Sequence, residues 1–110
     1  MLKGKKVRIR LKRYFAEQKQ SVFVGTVLNS TENWITINGK GIVFLKGRTH
    51  PLDIDKESRV LMIPRESIAN VRLLPDNFNM TKIVTERQGL RIFIKVKDAP
   101  DAAIGEDGGD

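Results

Sequence analysis

The sequence contains no cysteine, one histidine and four prolines, and aromatic residues fill only 6% of its 110 positions. Without cysteine there is no disulfide, no thiolate nucleophile and no cysteine-built zinc site. His50 stands alone beside Pro51, so a transition metal would need carboxylates gathered around it from elsewhere in the chain. Asp53 and Asp55 in PLDIDKES resemble fragments of a cation loop, but the glycine at the bend and the acid at the far end are missing, and no metal site is expected. The tetrapeptide NGKG at 38–41 lacks the spacing of a phosphate loop. No long apolar run occurs either: the longest uncharged one, Gly41 to Leu45, is far below the roughly 20 residues that span a bilayer. The basic start MLKGKKVRIRLKR has no apolar stretch behind it and no small-residue cleavage site. A cytoplasmic protein with no membrane partner is therefore expected. The eight acids of residues 1–97 are scattered singly across turns and polar positions, which disfavours paired-carboxylate chemistry, so neither catalysis nor a cofactor is expected.

Positive charge is abundant. Twenty Lys and Arg against 13 Asp and Glu give +7, with a pI near 10.0. Five of the acids (Asp98, Asp101, Glu106, Asp107, Asp110) lie in the last 13 residues, which contain no base. Residues 1–97 thus carry 20 bases against 8 acids, a balance of +12, and the last 13 residues carry −5. A body so basic attracts polyanions through counterion release and long-range steering. The plainer alternative is a solvated surface that only keeps the protein soluble.

Along the chain, Val7, Ile9 and Leu11 alternate with Arg8, Arg10 and Lys12, a period of two that predicts a strand with one buried and one cationic face. A polar stretch, Ala16 to Gln20, separates it from a second strand over Val22 to Leu28, and the two are expected to pair as a hairpin. Gly25 marks a bend or a close backbone approach. NSTEN (29–33) reads as a turn, Trp34 to Ile37 as a strand, Asn38-Gly39 as a second tight turn, and Ile42 to Leu45 as strand again. Lys46 to Ser58 reads as a long loop. Arg59 to Ile63 and Ile68 to Leu74, joined through Pro64-Arg65-Glu66, read as a tight antiparallel pair, and Met80 to Thr85 with Leu90 to Val96 as a final hairpin around Gly89. The small acidic residues from 98 to 110 are expected to be disordered, acting on the basic body as an internal competitor or only as a solubiliser. The fold expected is all-β: a small, strongly bent antiparallel sheet or open barrel over 1–97, with 80–97 as an added hairpin.

The order of these parts resembles the Sm-like family, the ring-forming RNA-binding proteins that include bacterial Hfq. FVGTVLNSTENWITI (Phe23 to Ile37) is similar to the first Sm motif, with Gly25 at its bend, and LMIPRESIANV (Leu61 to Val71) to the second, with Arg65 in the turn. The resemblance covers about Lys6 to Leu74. The acid usual in the first motif would fall near Thr31 and the base-stacking position near Asn33, while the Tyr-Lys-His of the Hfq type corresponds to Pro64, Arg65 and Glu66, so only the basic member is kept. The resemblance implies a homo-oligomeric ring of five to seven subunits and a pore-side pocket lined by Asn33 and Arg65.

Among the seven aromatics, Phe23 and Phe44 lie in apolar strands and read as core. Trp34, directly after a polar turn, is either a core plug, the simpler assignment for a large aromatic, or a stacking surface at a loop mouth. Candidate nucleic-acid-binding residues are then Asn33, Trp34 and Arg65 at the turns, with Lys40, Arg8, Arg10 and Lys12 as phosphate contacts. The function expected is non-enzymatic binding of RNA or another single-stranded nucleic acid. The alternative is a structural or protein-interaction barrel, such as a phage or assembly component, that does not read nucleic acid.

Overall fold

Strand β1 (Lys6–Leu11) pairs antiparallel with β2 (Ser21–Ser30), Val7 opposite Gly25 and Ile9 opposite Phe23, as their alternation predicts. The computed structural model describes residues 2–14, 20–44, 52–89, 91–97 and 99–106. Phe15, the polar stretch from Ala16 to Lys19, His50 and the acids Asp98, Asp107 and Asp110 lie outside them. Strand β3 (Trp34–Phe44) follows β2 through the turn at Thr31 to Asn33. On its other edge it carries two short strands, β4 (Leu52–Ile54) against residues 42–44 and β5 (Arg59–Pro64) against residues 34–39. A 3-10 turn, Arg65–Ser67, leads into β6 (Ile68–Leu74), which pairs with the free side of β1. The first sheet therefore runs β4-β3-β2-β1-β6, with β5 also on β3. A second antiparallel sheet holds β7 (Thr85–Gln88), β8 (Arg91–Ile94) and β9 (Ala102–Glu106), with Gly89 supplying the positive φ of +65° in the β7–β8 turn.

Two apolar clusters hold these layers. On one face of the first sheet Val7, Ile9, Val27, Ile35, Ile37 and Ile63 are buried together, with Leu61, Ile68 and Val71 packed against them. On the other face Val22, Val24, Ile42, Phe44 and Leu74 meet Ile92, Ile94, Ala102 and Ile104 of the second sheet. Strands β2 and β3 are thus apolar on both sides, and a second layer is needed to cover the face that the first cluster leaves in water. Arg72 ties the layers at the seam, and Lys6 holds the segment after β6. The Arg72 guanidinium donates to the carbonyls of Asp101 (2.6 Å) and Pro100, and Lys6 Nζ to those of Asp76 (2.6 Å) and Phe78 (2.9 Å).

Several expectations change. The fold is all-β and antiparallel, but neither sheet is closed or strongly curled, and no ladder joins β5 to β6. Those two segments are neighbours in sequence and yet pair with β3 and β1, an arrangement that buries Ile63 and packs Val71 against the same cluster. Asn38-Gly39 is no turn. It lies mid-strand in β3, where Gly39 faces Gly25 so closely that a Cβ on Gly39 would stand 2.6 Å from the Gly25 Cα. Part of the expected loop forms β4, and Met80 to Val84 precedes β7 without joining it. The segment expected to be disordered from residue 98 forms β9 at 102–106, anchored by fully buried Ala102 and Ile104.

Candidate functional site

The β2–β3 turn closes on itself: Thr31 N–H donates to the Trp34 carbonyl (2.8 Å) and Trp34 N–H to Thr31 Oγ1 (3.1 Å). The end of β5 is fastened to this turn. Pro64 stands opposite Trp34 in the ladder, and Arg65 N–H donates to the Asn33 carbonyl at 2.9 Å. The Arg65 side chain adds a bond from Nε to the Thr31 carbonyl (2.6 Å) and one from Nη2 to Ser30 Oγ. Behind it Ser67 Oγ donates to the Pro64 carbonyl at 2.7 Å, fixing the 3-10 turn. Two turns far apart in sequence thereby become the walls of one cleft of about 370 Å³, lined by Glu32, Asn33, Trp34, Pro64, Arg65 and Glu66.

Trp34 is 40% exposed, so the core-plug assignment gives way to an aromatic surface at the cleft. With the even-numbered residues of β3's first half turned away from the Ile35–Ile37 cluster, its ring has no apolar layer to enter. The cleft holds one cation, Arg65, and two carboxylates, Glu32 and Glu66. Such a balance does not suit a phosphate. It suits a flat ring stacked on indole, with carboxylate and amide oxygens accepting from ring N–H groups and the remaining Nη1 of Arg65 donating to a carbonyl edge.

Comparison with protein families, curated proteins and solved structures finds no match.

The sequence-predicted cations are placed less openly. Arg8 is 7% exposed, facing the second sheet's side of β1, with Nη1 bonded to Asn70 Oδ1 and Nε buried without a hydrogen-bond partner. Burial first, then the nearby Arg10 and Arg72, pushes its guanidinium down to about 10. The expected cationic face of β1 is therefore partly covered. Lys12 is exposed, Arg10 is half-buried, and Lys40 is buried in β3 at a position expected to be a turn. The structure brings Asn33, Trp34 and Arg65 together and leaves Arg8, Arg10, Lys12 and Lys40 outside that cleft.

Sequence reasoning missed Glu32 as a wall of the cleft. It reads as one polar member of a turn, and the contacts of Pro64 and Arg65 with that turn bring it into one cleft with Glu66. Asp55, considered above as part of a cation loop, accepts the Gly41 N–H through Oδ2 at 2.9 Å and so fastens the segment after β4 to β3.

Proposed function

We propose that the chain is a non-enzymatic nucleic-acid-binding protein, taking single-stranded RNA in preference to duplex, and that it works as an Sm-like homo-oligomeric ring of five to seven subunits. The observation that carries this reading is the meeting of Asn33, an exposed Trp34 and Arg65 in one cleft. An unstacked base enters the cleft, stacks on the indole and is held at its edge. Cations outside the cleft, Lys12 among them, supply the salt-dependent attraction to phosphates. The Sm-like order of parts supports the ring, as do the open edges of the first sheet. Strand β5 carries Val60 and Met62, 63% and 61% exposed, and β6 carries Leu73 at 55%. Apolar edges of this kind are satisfied by pairing with another copy.

Binding of a single-stranded RNA measured across salt concentrations, with light scattering on the same preparation, tests the reading. Affinity that falls steeply with salt, together with a mass of several subunits, is the expected result. A 12.5 kDa monomer without affinity near physiological salt overturns it. A second reading, a structural or protein-interaction component, draws support from the acidic balance of the cleft and from the same exposed edge residues. An oligomer indifferent to RNA would be its signature.

A further inference from the structure

A second cleft, of about 410 Å³, lies where the loop after β6 faces the strand end beyond β8. Its polar wall is made of Asn77, Asn79, Lys82, Lys95 and Lys97, and exposed Val84 forms an apolar side over buried Phe78 and Val96. Lys95 is committed to neighbours, 3.1 Å from Asp101 and 3.3 Å from Glu86. No ion pair joins Lys82 or Lys97 to a carboxylate among the described residues.

The backbone carrying both lysines is fixed in advance. Asn79 Oδ1 accepts the N–H groups of Thr81 (2.9 Å) and Lys82 (3.1 Å), which sets the loop, and Asp101 Oδ1 accepts the Val96 N–H (3.2 Å) beside Lys97. Two ammonium groups with no carboxylate against them among the described residues match the charge of a phosphomonoester, about −1.5 to −2 at neutral pH. The asparagine amides add neutral donors for its oxygens, and Val84 offers an apolar wall to whatever the phosphate is attached to. A cleft of this volume falls within the roughly 300–1,000 Å³ of small-molecule sites.

We propose that this cleft binds a phosphomonoester of nucleotide size, with Lys82 and Lys97 on the phosphate and Val84 against the attached group. The phosphate belongs either to a free mononucleotide or to the 5′ end of a strand. This site shares no residue with the Trp34 cleft and does not depend on the function proposed for it.

Calorimetry on the full-length protein tests the site with four probes: 5′-AMP, adenosine, and a hexaadenylate with either a 5′-phosphate or a 5′-hydroxyl. A phosphate-dependent gain of at least about ten-fold is expected. It should vanish in Lys82→Gln/Lys97→Gln, survive in Lys82→Arg/Lys97→Arg and be unchanged in Trp34→Ala. Both lysines are exposed, so melting curves of the variants should match the parent. A gain for AMP over adenosine alone assigns the phosphate to a free nucleotide, and a gain for the phosphorylated hexamer assigns it to a strand end. No gain in either pair, or one that persists in the double glutamine variant, overturns the proposal.

Discussion

Replacing Gly39 with alanine probes the closest backbone approach in the first sheet. The added methyl would stand 2.6 Å from the Gly25 Cα and press on the Val24 carbonyl, whereas carbon atoms in good contact sit about 3.5–4.0 Å apart. Both obstacles are backbone, so no rotamer change relieves them. Strands β2 and β3 must part by about 1 Å, which lengthens the ladder on either side, at Val24–Lys40 and Thr26–Asn38. Overpacking costs about 1–3 kcal/mol, and two weakened backbone hydrogen bonds add about 1 kcal/mol each. Lower unfolded-state entropy returns about 0.4–1 kcal/mol, leaving a net loss of about 3 kcal/mol. For a domain of this size that lowers Tm by roughly 10–20 °C. Gly41→Ala is the control, since its methyl would meet only the side chains of Phe23 (3.2 Å) and Asp55 (3.3 Å), which can shift by tenths of an ångström. Urea titrations followed by circular dichroism give both values. If Gly39→Ala loses no more than about 1 kcal/mol beyond Gly41→Ala, the close pairing of the two glycines is wrong.

Arg8→Met removes a buried guanidinium that Arg10 and Arg72 repel, and its loss leaves Asn70 exposed to water, so the variant should be more stable than the parent at neutral pH by about 1–3 kcal/mol. The folded state holds this proton less tightly than the unfolded state. The penalty is therefore full below pH 10 and fades as pH rises through about 10, so the variant's advantage should shrink in alkali; a constant advantage would contradict the assignment. Arg65→Ala frees the β2–β3 turn from two side-chain bonds, lowering stability by about 1 kcal/mol and RNA affinity by about 1–3 kcal/mol. An unchanged affinity in a folded variant would remove Arg65 from the binding site. Ala102→Asp puts a carboxylate at a fully buried position of β9 and should cost about 3 kcal/mol or more in thermal melts, whereas a neutral effect would mean that β9 is not docked.

Local alternation was legible where a strand pairs with its sequence neighbour, as Val7 and Ile9 do against β2. It failed where the deciding contact is remote. Asn38-Gly39 has the composition of a hairpin turn, but its glycine serves a close approach to Gly25, fourteen residues away. The short link through Arg65 suggested that β5 and β6 pair with each other, while pairing with β3 and β1 brings Ile63 and Val71 to one apolar cluster. Strand β9 went unseen because AAIGE is short, small and set among acids, so the alternation of Ala102 and Ile104 stays below the threshold of any pattern. In the site, Arg65 and Asn33 were singled out by motif position, and their backbone bond accounts for their sharing a cleft. Lys40 was judged by type and Arg8 by its place on the polar face of an alternating strand, and neither signal reveals that both cationic side chains are buried where strands are apolar on both sides.

The most direct test of the nucleic-acid reading compares single-stranded RNA binding by the parent and by Trp34→Ala, each titrated over a range of salt. Trp34 is 40% exposed, so the substitution should leave the fold intact. Loss of one stacked base costs about 1–3 kcal/mol, a decrease of roughly 5- to 150-fold in affinity. The slope of log affinity against log salt should stay the same in both proteins, because phosphate contacts set it and the indole makes none. Equal affinities for parent and variant, or no binding by the parent near physiological salt, would contradict the account.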